Sequence, residues 1–497
     1  MAESAEFALT ETVLVKNFRG FGVQLNHHVF APHTMALGVP EASFADLEAK
    51  VVRLAPQFVR IFYNDRHAGV PFDKQLPPSP ENRRQDKGQE RRWASFVRVC
   101  KLAQKAGATI NITWQGGPLA TPEQRKTSVT RFAKVLEILR KQEHISNLRW
   151  VTIANEPNTP PRRRKKKPGE TPPPKPPKPT VTPGRLADMY RRLDKQLTDK
   201  GLRQQIRFMG GDLIDPVKDP KSPYHEKRWF EHMSTNLHDV LDAYSVHIYW
   251  NYWNTAKFKK RLDAVRDIVS KLQHPMPVYV TEFGTRGRER RPSTVNDPGN
   301  FHEGSIKIPL ARSQVAAFQH ALFQILALQH GCVATSKWDC HFGKYDLKEA
   351  NRQAYYAIGP PAPAQQPRQW QLYPMYFLLR LMTITSAPGW KVLRVKRNPA
   401  ASATKHLVAL KGVGKGLTIL GLDERGALRE RPSKVKVPYT IGGLPPLAPL
   451  KLLLWNRAGG GKLVLDRTVT ANAAGTAKIT VPLHSVFALT TKPLPLL

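Results

Sequence analysis

Short apolar, β-branched runs recur through the first three quarters of the chain, and stretches of helical periodicity separate them. The runs lie at about 18–25 (FRGFGVQL), 58–63 (FVRIFY), 108–114 (ATINITW), 149–154, 206–211 (IRFMGG), 242–250 (DAYSVHIYW), 277–283 (PVYVTEF) and 333–338 (VATSKW). Each has the length and residue types of a strand buried on both faces. The intervening stretches place apolar residues on one helical face: Phe44, Leu47, Val51 and Leu54; then Phe96, Val99, Cys100, Leu102 and Ala103; then Phe132, Val135, Leu136 and Leu139. Eight strands alternating with helices predict a closed (β/α)8 TIM barrel. A doubly wound sheet is the alternative. It does not account for the polar or amphipathic residues that end almost every run: Asn26, Asn64, Trp114, Glu156, Asp212, Tyr249, Glu282 and Trp338. In a barrel those ends form the face that carries chemistry.

Past Pro388 the pattern changes. Short β-rich runs at 390–396, 404–411, 416–422, 434–441, 450–456, 461–466, 476–481 and 485–490 are set apart by Gly/Pro turns, which predicts an antiparallel β-sandwich. The stretch Phe7–Val15 precedes the first barrel run and is expected to add a strand to that sandwich. The predicted domains are therefore a barrel at 18–384 and a sandwich built from 385–497 plus 5–17. One segment is low in complexity. Residues 160–179 hold nine Pro and eight Lys or Arg against one acid, so 159–183 is expected to be an extended, disordered loop directly after the fourth strand.

Composition narrows the function classes. The chain has 497 residues, is 41% hydrophobic, and carries 77 Lys+Arg against 39 Asp+Glu, a net charge of +38. That balance suits an anionic partner or a solvated basic surface. Helix-turn-helix, zinc and RNA-recognition patterns are all missing, so specific nucleic-acid binding is not expected. Three cysteines, Cys100, Cys332 and Cys340, make no disulfide framework and lack metal-site spacing; they read as small buried hydrophobes. No run of 18 apolar residues predicts a membrane span. The first residues show no signal-peptide pattern, which points to a cytoplasmic protein or a mature secreted form.

Two of the runs end in a carboxylate: Trp150-Val-Thr-Ile-Ala-Asn155-Glu156-Pro157 and Pro277-Val-Tyr-Val-Thr-Glu282-Phe-Gly284. A Glu at the end of a buried strand is costly without partners or a task. Two of them on separate strands fit the acid pair that glycosidic bond cleavage uses. Arg60 stands inside an otherwise apolar strand and must find a carboxylate. His247 and Tyr249 share one face of the sixth strand, because side chains alternate. Trp338 offers a flat face to a sugar ring, and Trp114, Trp250, Tyr252 and Trp253 are candidates to extend it.

In this order the residues resemble the clan A retaining glycoside hydrolases, over roughly residues 18–384. The matching positions are Arg60 on strand two, Asn155-Glu156-Pro157 on strand four, His247-x-Tyr249 on strand six, Glu282-Phe-Gly on strand seven and Trp338 on strand eight. Gly20-Phe21-Gly22-Val23 and the C-terminal sandwich are more similar to families 30 and 39 than to family 5. The resemblance implies Glu156 as acid/base, Glu282 as nucleophile, and Asn155 as donor to the sugar 2-hydroxyl. It implies a β-glycosidic substrate, and neither a metal nor an organic cofactor. One departure stands out. Cellulase-like members carry a His after strand three, whereas this chain has Thr113-Trp114-Gln115-Gly116, and the sugar is left open.

Three basic clusters follow strands: 83–92 (RRQDKGQERR), 162–178 and 286–291 (RGRERR). As βα loops they are expected to rim the mouth, where an acidic glycan is one option for the substrate. The competing expectation is a carbohydrate-binding barrel without turnover. Nothing in the sequence sets the oligomeric state.

Overall fold

The computed structural model describes residues 5–64, 88–115, 121–160, 181–215, 217–251, 254–286, 300–303, 306–343, 356–361, 369–414, 416–427 and 434–495. Eight parallel strands close into a barrel: Gly20–Leu25, Phe58–Tyr63, Thr109–Trp114, Leu148–Ile153, Arg207–Leu213, Ala243–Asn251, Val278–Arg286 and Cys332–Lys337, called strands one to eight below. Strand eight pairs with strand one through Ala334–Gly20 and Lys337–Val23, which completes the ring. Gly22 permits the close approach of strands one and two, since a Cβ there would stand 2.2 Å from the Phe58 carbonyl oxygen.

Helices Phe44–Leu54, Gly88–Lys105, Pro122–Glu137, Pro183–Asp199, Glu226–Asn236, Ala256–Val269, Gln314–Gln329 and Pro374–Thr385 surround the barrel. On the first of them Phe44, Leu47, Val51 and Leu54 are the buried residues, the face read from the sequence. Helix Pro122–Glu137 opens with a capping box: Thr121 accepts from the Gln124 amide while the Gln124 side chain accepts from the Thr121 amide. Alternation along the strands sorts the barrel residues. Even positions of strand three (Ile110, Ile112, Trp114) face the helices, and Asn111 and Thr113 face the lumen. The lower lumen is filled by rings, with Tyr279 5.6 Å from Phe58 and 5.1 Å from Trp150. The layer above them is polar.

The C-terminal part is one nine-stranded sheet. Its order is 462–470, 449–456, 485–490, 417–423, 405–411, 391–397, 7–15, 436–442, 477–482. It folds over a core that includes Phe7, Leu407, Ile419, Tyr439, Leu452, Ile479 and Phe487, giving a β-sandwich-like layer pair within a single sheet. Two features depart from a simple antiparallel sandwich: the sheet is continuous, and strand 7–15 pairs in parallel with 436–442 while running antiparallel to 391–397. The outer face of this sheet shares a core with the barrel helices through Val408, Leu410, Leu420, Leu422, Leu453 and Trp455.

Of the expected Pro/Lys/Arg-rich loop, residues 161–180 lie outside the described residues, and helix Pro183–Asp199 begins at its end, with Thr182 as N-cap. The basic positions 83–87 and 287–291 likewise lie outside, and residues 88–92 open helix Gly88–Lys105 instead of continuing a loop. Cys100, Cys332 and Cys340 are buried and unpaired. Among the described residues no helix is long and apolar enough to cross a membrane.

Candidate active site

The polar layer at the C-terminal ends of the strands is organised around Arg60, which is fully buried. Its Nε donates to Thr113 Oγ1 (2.9 Å), its Nη1 to Gln24 Oε1 (2.6 Å) and Glu282 Oε2 (2.7 Å), and its Nη2 to Asn155 Oδ1 (2.6 Å) and Asp212 Oδ2 (2.6 Å). Arg60 thereby ties together strands one, three, five and seven and the loop after strand four. Burial works against its charge, but Asp212 and Glu282 more than offset this and raise its pKa.

Glu282 is 7% exposed. Tyr249 donates to its Oε1, so both carboxylate oxygens accept a hydrogen bond. Strict alternation cannot place it there. Tyr279 points inward and Thr281 donates to Asp212 Oδ1 (2.5 Å), so an ideal strand would turn Glu282 outward. The pairing shifts at this point: Val246 faces Val280 but His247 faces Glu282, and on the other side Thr335 faces Val280 but Lys337 faces Phe283. The extra residue is a β-bulge that points Thr281 and Glu282 both inward. Phe283 then turns out and stacks on Phe323 at 4.7 Å.

Glu156 sits beyond strand four in left-handed backbone, φ 48°, and Ala154 shares that conformation at φ 68°. Non-glycine residues in this region store strain and cluster at functional sites. The sequence, with Pro157 following, suggested an extended or irregular position; it is the irregular one. Asn158, fully buried, clamps this loop to the loop after strand five: its Nδ2 donates to the Ile214 and Tyr224 carbonyls (2.8 and 3.1 Å) and its Oδ1 accepts from the Ile214 amide (3.1 Å). The Glu156 side chain is 30% exposed, and its Oε1 lies 3.0 Å from His247 Nδ1.

His247 stands between the carboxylates, with Nδ1 3.7 Å from Glu282 Oε2 and Nε2 3.6 Å from Asp212 Oδ2. Burial lowers its pKa, but Glu282 and Asp212 outweigh that and push it up to about 9. Asp212 is a third carboxylate, fully buried; burial raises its pKa, and the stronger pull of Arg60 and His247 holds it well below the usual carboxylate range. Glu156, His247 and Glu282 each offer a ligand atom within 4.8 Å of the others, the one such trio among the described residues. Carboxylates lie near both ring nitrogens of His247 and favour its protonated form, which competes with metal binding there.

Among the aromatic candidates, half-buried Trp338 stands at the mouth, its ring 5.6 Å from Phe62, which in turn lies under the Arg60 guanidinium at 4.4 Å. Trp114 does not join it. That side chain is fully buried behind strand three and stacks on Phe132 at 4.8 Å. Trp250 is buried in the same way, between Phe258 and Phe323, with its Nε1 donating to Gln319 (3.1 Å). Both share the strand face of their apolar neighbours, and that parity was the available signal. Tyr252 and Trp253 lie outside the described residues. The site set read from the sequence lacked Gln24, Thr113, Asp212 and Thr281, all lumen-facing partners in the Arg60 network, and Asn158.

Residues 200–329 match the family model described as the glycosyl hydrolase catalytic core. That span includes Asp212, His247, Tyr249 and Glu282. Nearly the whole chain is similar in fold to a GH30 endoxylanase from Clostridium papyrosolvens (TM-score 0.58, 11% identity, 98% of this chain and 100% of the other). It is also similar to a family 51 α-L-arabinofuranosidase from Bifidobacterium longum (TM-score 0.60, 14% identity, 99% and 100%) and an endo-β1,6-glucanase (TM-score 0.63, 11% identity, 99% and 96%). No curated protein sequence matches. The catalytic-core match supports a glycosidase, and the solved structures share its fold of a barrel with a β-sandwich-like companion.

Proposed function

We propose that the chain hydrolyses a β-glycosidic bond with retention of configuration. The observation that carries this reading is the spacing of the two acids. A carboxylate oxygen of Glu156 and one of Glu282 lie within 4.8 Å of each other. Retaining enzymes hold their carboxyl groups about 5–5.5 Å apart, whereas inverting ones leave roughly 6.5–9.5 Å for a water.

The environments divide the roles. Glu282 is buried and held by Arg60 and Tyr249, so its carboxylate is aimed and cannot rotate away from an anomeric carbon. Glu156 is more exposed and meets His247, as befits a group that must reach first a leaving oxygen and then a water. In the first displacement a Glu282 oxygen bonds to the anomeric carbon, the bond to the leaving oxygen breaks, and the Glu156 proton passes to that oxygen. In the second, Glu156 takes a proton from water, the water oxygen bonds to the anomeric carbon, and Glu282 is released. Asn155 has its Oδ1 committed to Arg60, which leaves Nδ2 as donor to the sugar 2-hydroxyl. Trp338 supplies the flat wall.

The test is a screen of the full chain on aryl β-glycosides, neutral polysaccharides and uronic-acid polymers, the last arm probing the acidic substrate that the charge of +38 suggests. Turnover is expected to vanish in Glu282→Gln. The released sugar, followed by NMR at early times, keeps the anomeric configuration of the substrate. Inversion, or activity surviving in Glu282→Gln, overturns the assignment. Binding without turnover on every substrate favours a carbohydrate-binding barrel instead.

A further inference from the structure

Resting on the reading of Glu156 as acid/base, we propose that Asp212 is a positioning residue that keeps Glu156 in its acid form by fixing the positive charges of His247 and Arg60. Asp212 is fully buried. Its Oδ2 binds Arg60 Nη2 at 2.6 Å and lies 3.6 Å from His247 Nε2, while its Oδ1 accepts from Thr281 at 2.5 Å and its backbone amide donates to Ser245 Oγ at 2.7 Å.

The charges of the cluster balance one another, and all but Glu156 are buried. Around His247 stand Glu156 from the loop after strand four, Asp212 from strand five and Glu282 from strand seven; Arg60 from strand two binds the last two, and Tyr249 from strand six donates to Glu282. With Glu156 protonated, Arg60 and His247 (+2) balance Glu282 and Asp212 (−2), and the cluster is neutral. Without Asp212 the same state carries +1, and ionisation of Glu156 would restore neutrality. A low-dielectric site strongly favours the balanced state. A cation beside a carboxyl group, as His247 Nδ1 is beside Glu156 at 3.0 Å, ordinarily makes it a poor acid donor at neutral pH, because it favours the ionised form. The third carboxylate cancels that effect without occupying the mouth. The backbone is shaped to put it there. Gly211 at φ 123° and Asp212 at φ 46° form a second bulge, where Gly210 pairs with Tyr244 but Leu213 with Val246.

The experiment compares the full-length wild type with Asp212→Asn and with Thr281→Val, which removes one hydrogen bond to Asp212 and no charge. Turnover against pH is measured on a phenyl β-glycoside, which needs acid assistance, and a 2,4-dinitrophenyl β-glycoside, which does not. In Asp212→Asn the alkaline limb on the phenyl substrate is expected to move down by about one to two pH units. It moves down whichever member of the coupled Glu156–His247 pair carries it. Turnover of the dinitrophenyl substrate stays within a few-fold of wild type. Thr281→Val, which leaves the Asp212 charge in place, should leave the limb within a few tenths of a pH unit, and Asp212→Ser carries the test if Asp212→Asn does not fold. An unmoved limb in the Asp212 variant, or equal losses on both substrates, overturns the proposal. The His247 ring is also titrated by NMR, which needs no turnover. An unchanged His247 titration once the Asp212 charge is removed sinks the role of Asp212 even with a silent wild type, whereas a silent wild type with a lowered His247 titration sinks only the glycosidase reading.

Discussion

Arg60 makes five hydrogen bonds with one guanidinium, and two of them reach buried carboxylates. Arg60→Met would leave Asp212 and Glu282 in the lumen without their main cation. Breaking one side of such a buried ionic set costs about 3–5 kcal/mol, so the urea midpoint should fall sharply. Arg60→Lys should recover little of it, because an ammonium cannot span five acceptors in a plane. His247 supplies a signed pH dependence. Its folded pKa, about 9, is raised above the unfolded value of about 6.5. Its contribution to stability is therefore fully present below about pH 6.5 and is lost as the pH rises through about 9. The stability difference between wild type and His247→Gln should shrink across that window, and a constant difference refutes the assignment. At this scale the sequence marked members of the polar layer where a charged residue interrupts an apolar run, as at Arg60 and Glu282. It hid Gln24 and Thr113, whose neutral side chains are ordinary on a strand and gain meaning only beside a guanidinium.

All eight barrel strands were legible as elements, because a parallel strand covered on both faces has to be apolar along its length. What each strand presents to the lumen was legible only while alternation held. Strands three and six keep it, and there Trp114 and Trp250 could have been assigned to the outer face from their neighbours Ile112 and Ile248. Strands five and seven break it with bulges, and these two strands deliver Asp212 and Glu282. A bulge depends on pairing with neighbours distant in the chain, so no local pattern announces it; the only local hint was Gly210-Gly211 before an Asp. Gly211→Ala tests the element directly. A Cβ there would sit 2.7 Å from the Ser245 carbonyl oxygen, at a φ of 123° that alanine resists. The expected cost is about 1–3 kcal/mol, read as a lowered melting temperature, together with the downward shift of the alkaline limb expected from a displaced Asp212. A variant as stable and active as wild type would show that the bulge is not needed.

The two halves of the molecule are joined by elements with no polar face. Helix Gln314–Gln329 is buried from Val315 to Leu328, and helix Pro374–Thr385 from Met375 to Thr385 save Phe377. A helix apolar on all sides has to be covered on all sides, and here the barrel covers one side and the nine-stranded sheet the other. Polar groups cross the same seam: Thr418 Oγ1 donates to the Thr385 carbonyl (2.5 Å), Gln329 Nε2 to the Leu407 carbonyl (2.8 Å), Trp455 Nε1 to the Pro374 carbonyl (3.0 Å), and Lys259 pairs with Glu424 (2.6 Å). The first strand, Phe7–Val15, completes the sheet, so the chain leaves it, builds the barrel and returns. The change of pattern after Pro388 is thus a boundary in secondary structure, and the shared core predicts that it is not one in cooperativity. A barrel cut to residues 18–384 should expose the outer faces of both helices and leave the Pro374 carbonyl and the Gln329 side-chain amide without their partners. It should be recovered aggregated or dye-binding, while the full chain unfolds in one transition by both calorimetry and fluorescence. A soluble, cooperatively folding 18–384 fragment would instead make the sheet a dispensable appendage and the shared core incidental to the barrel.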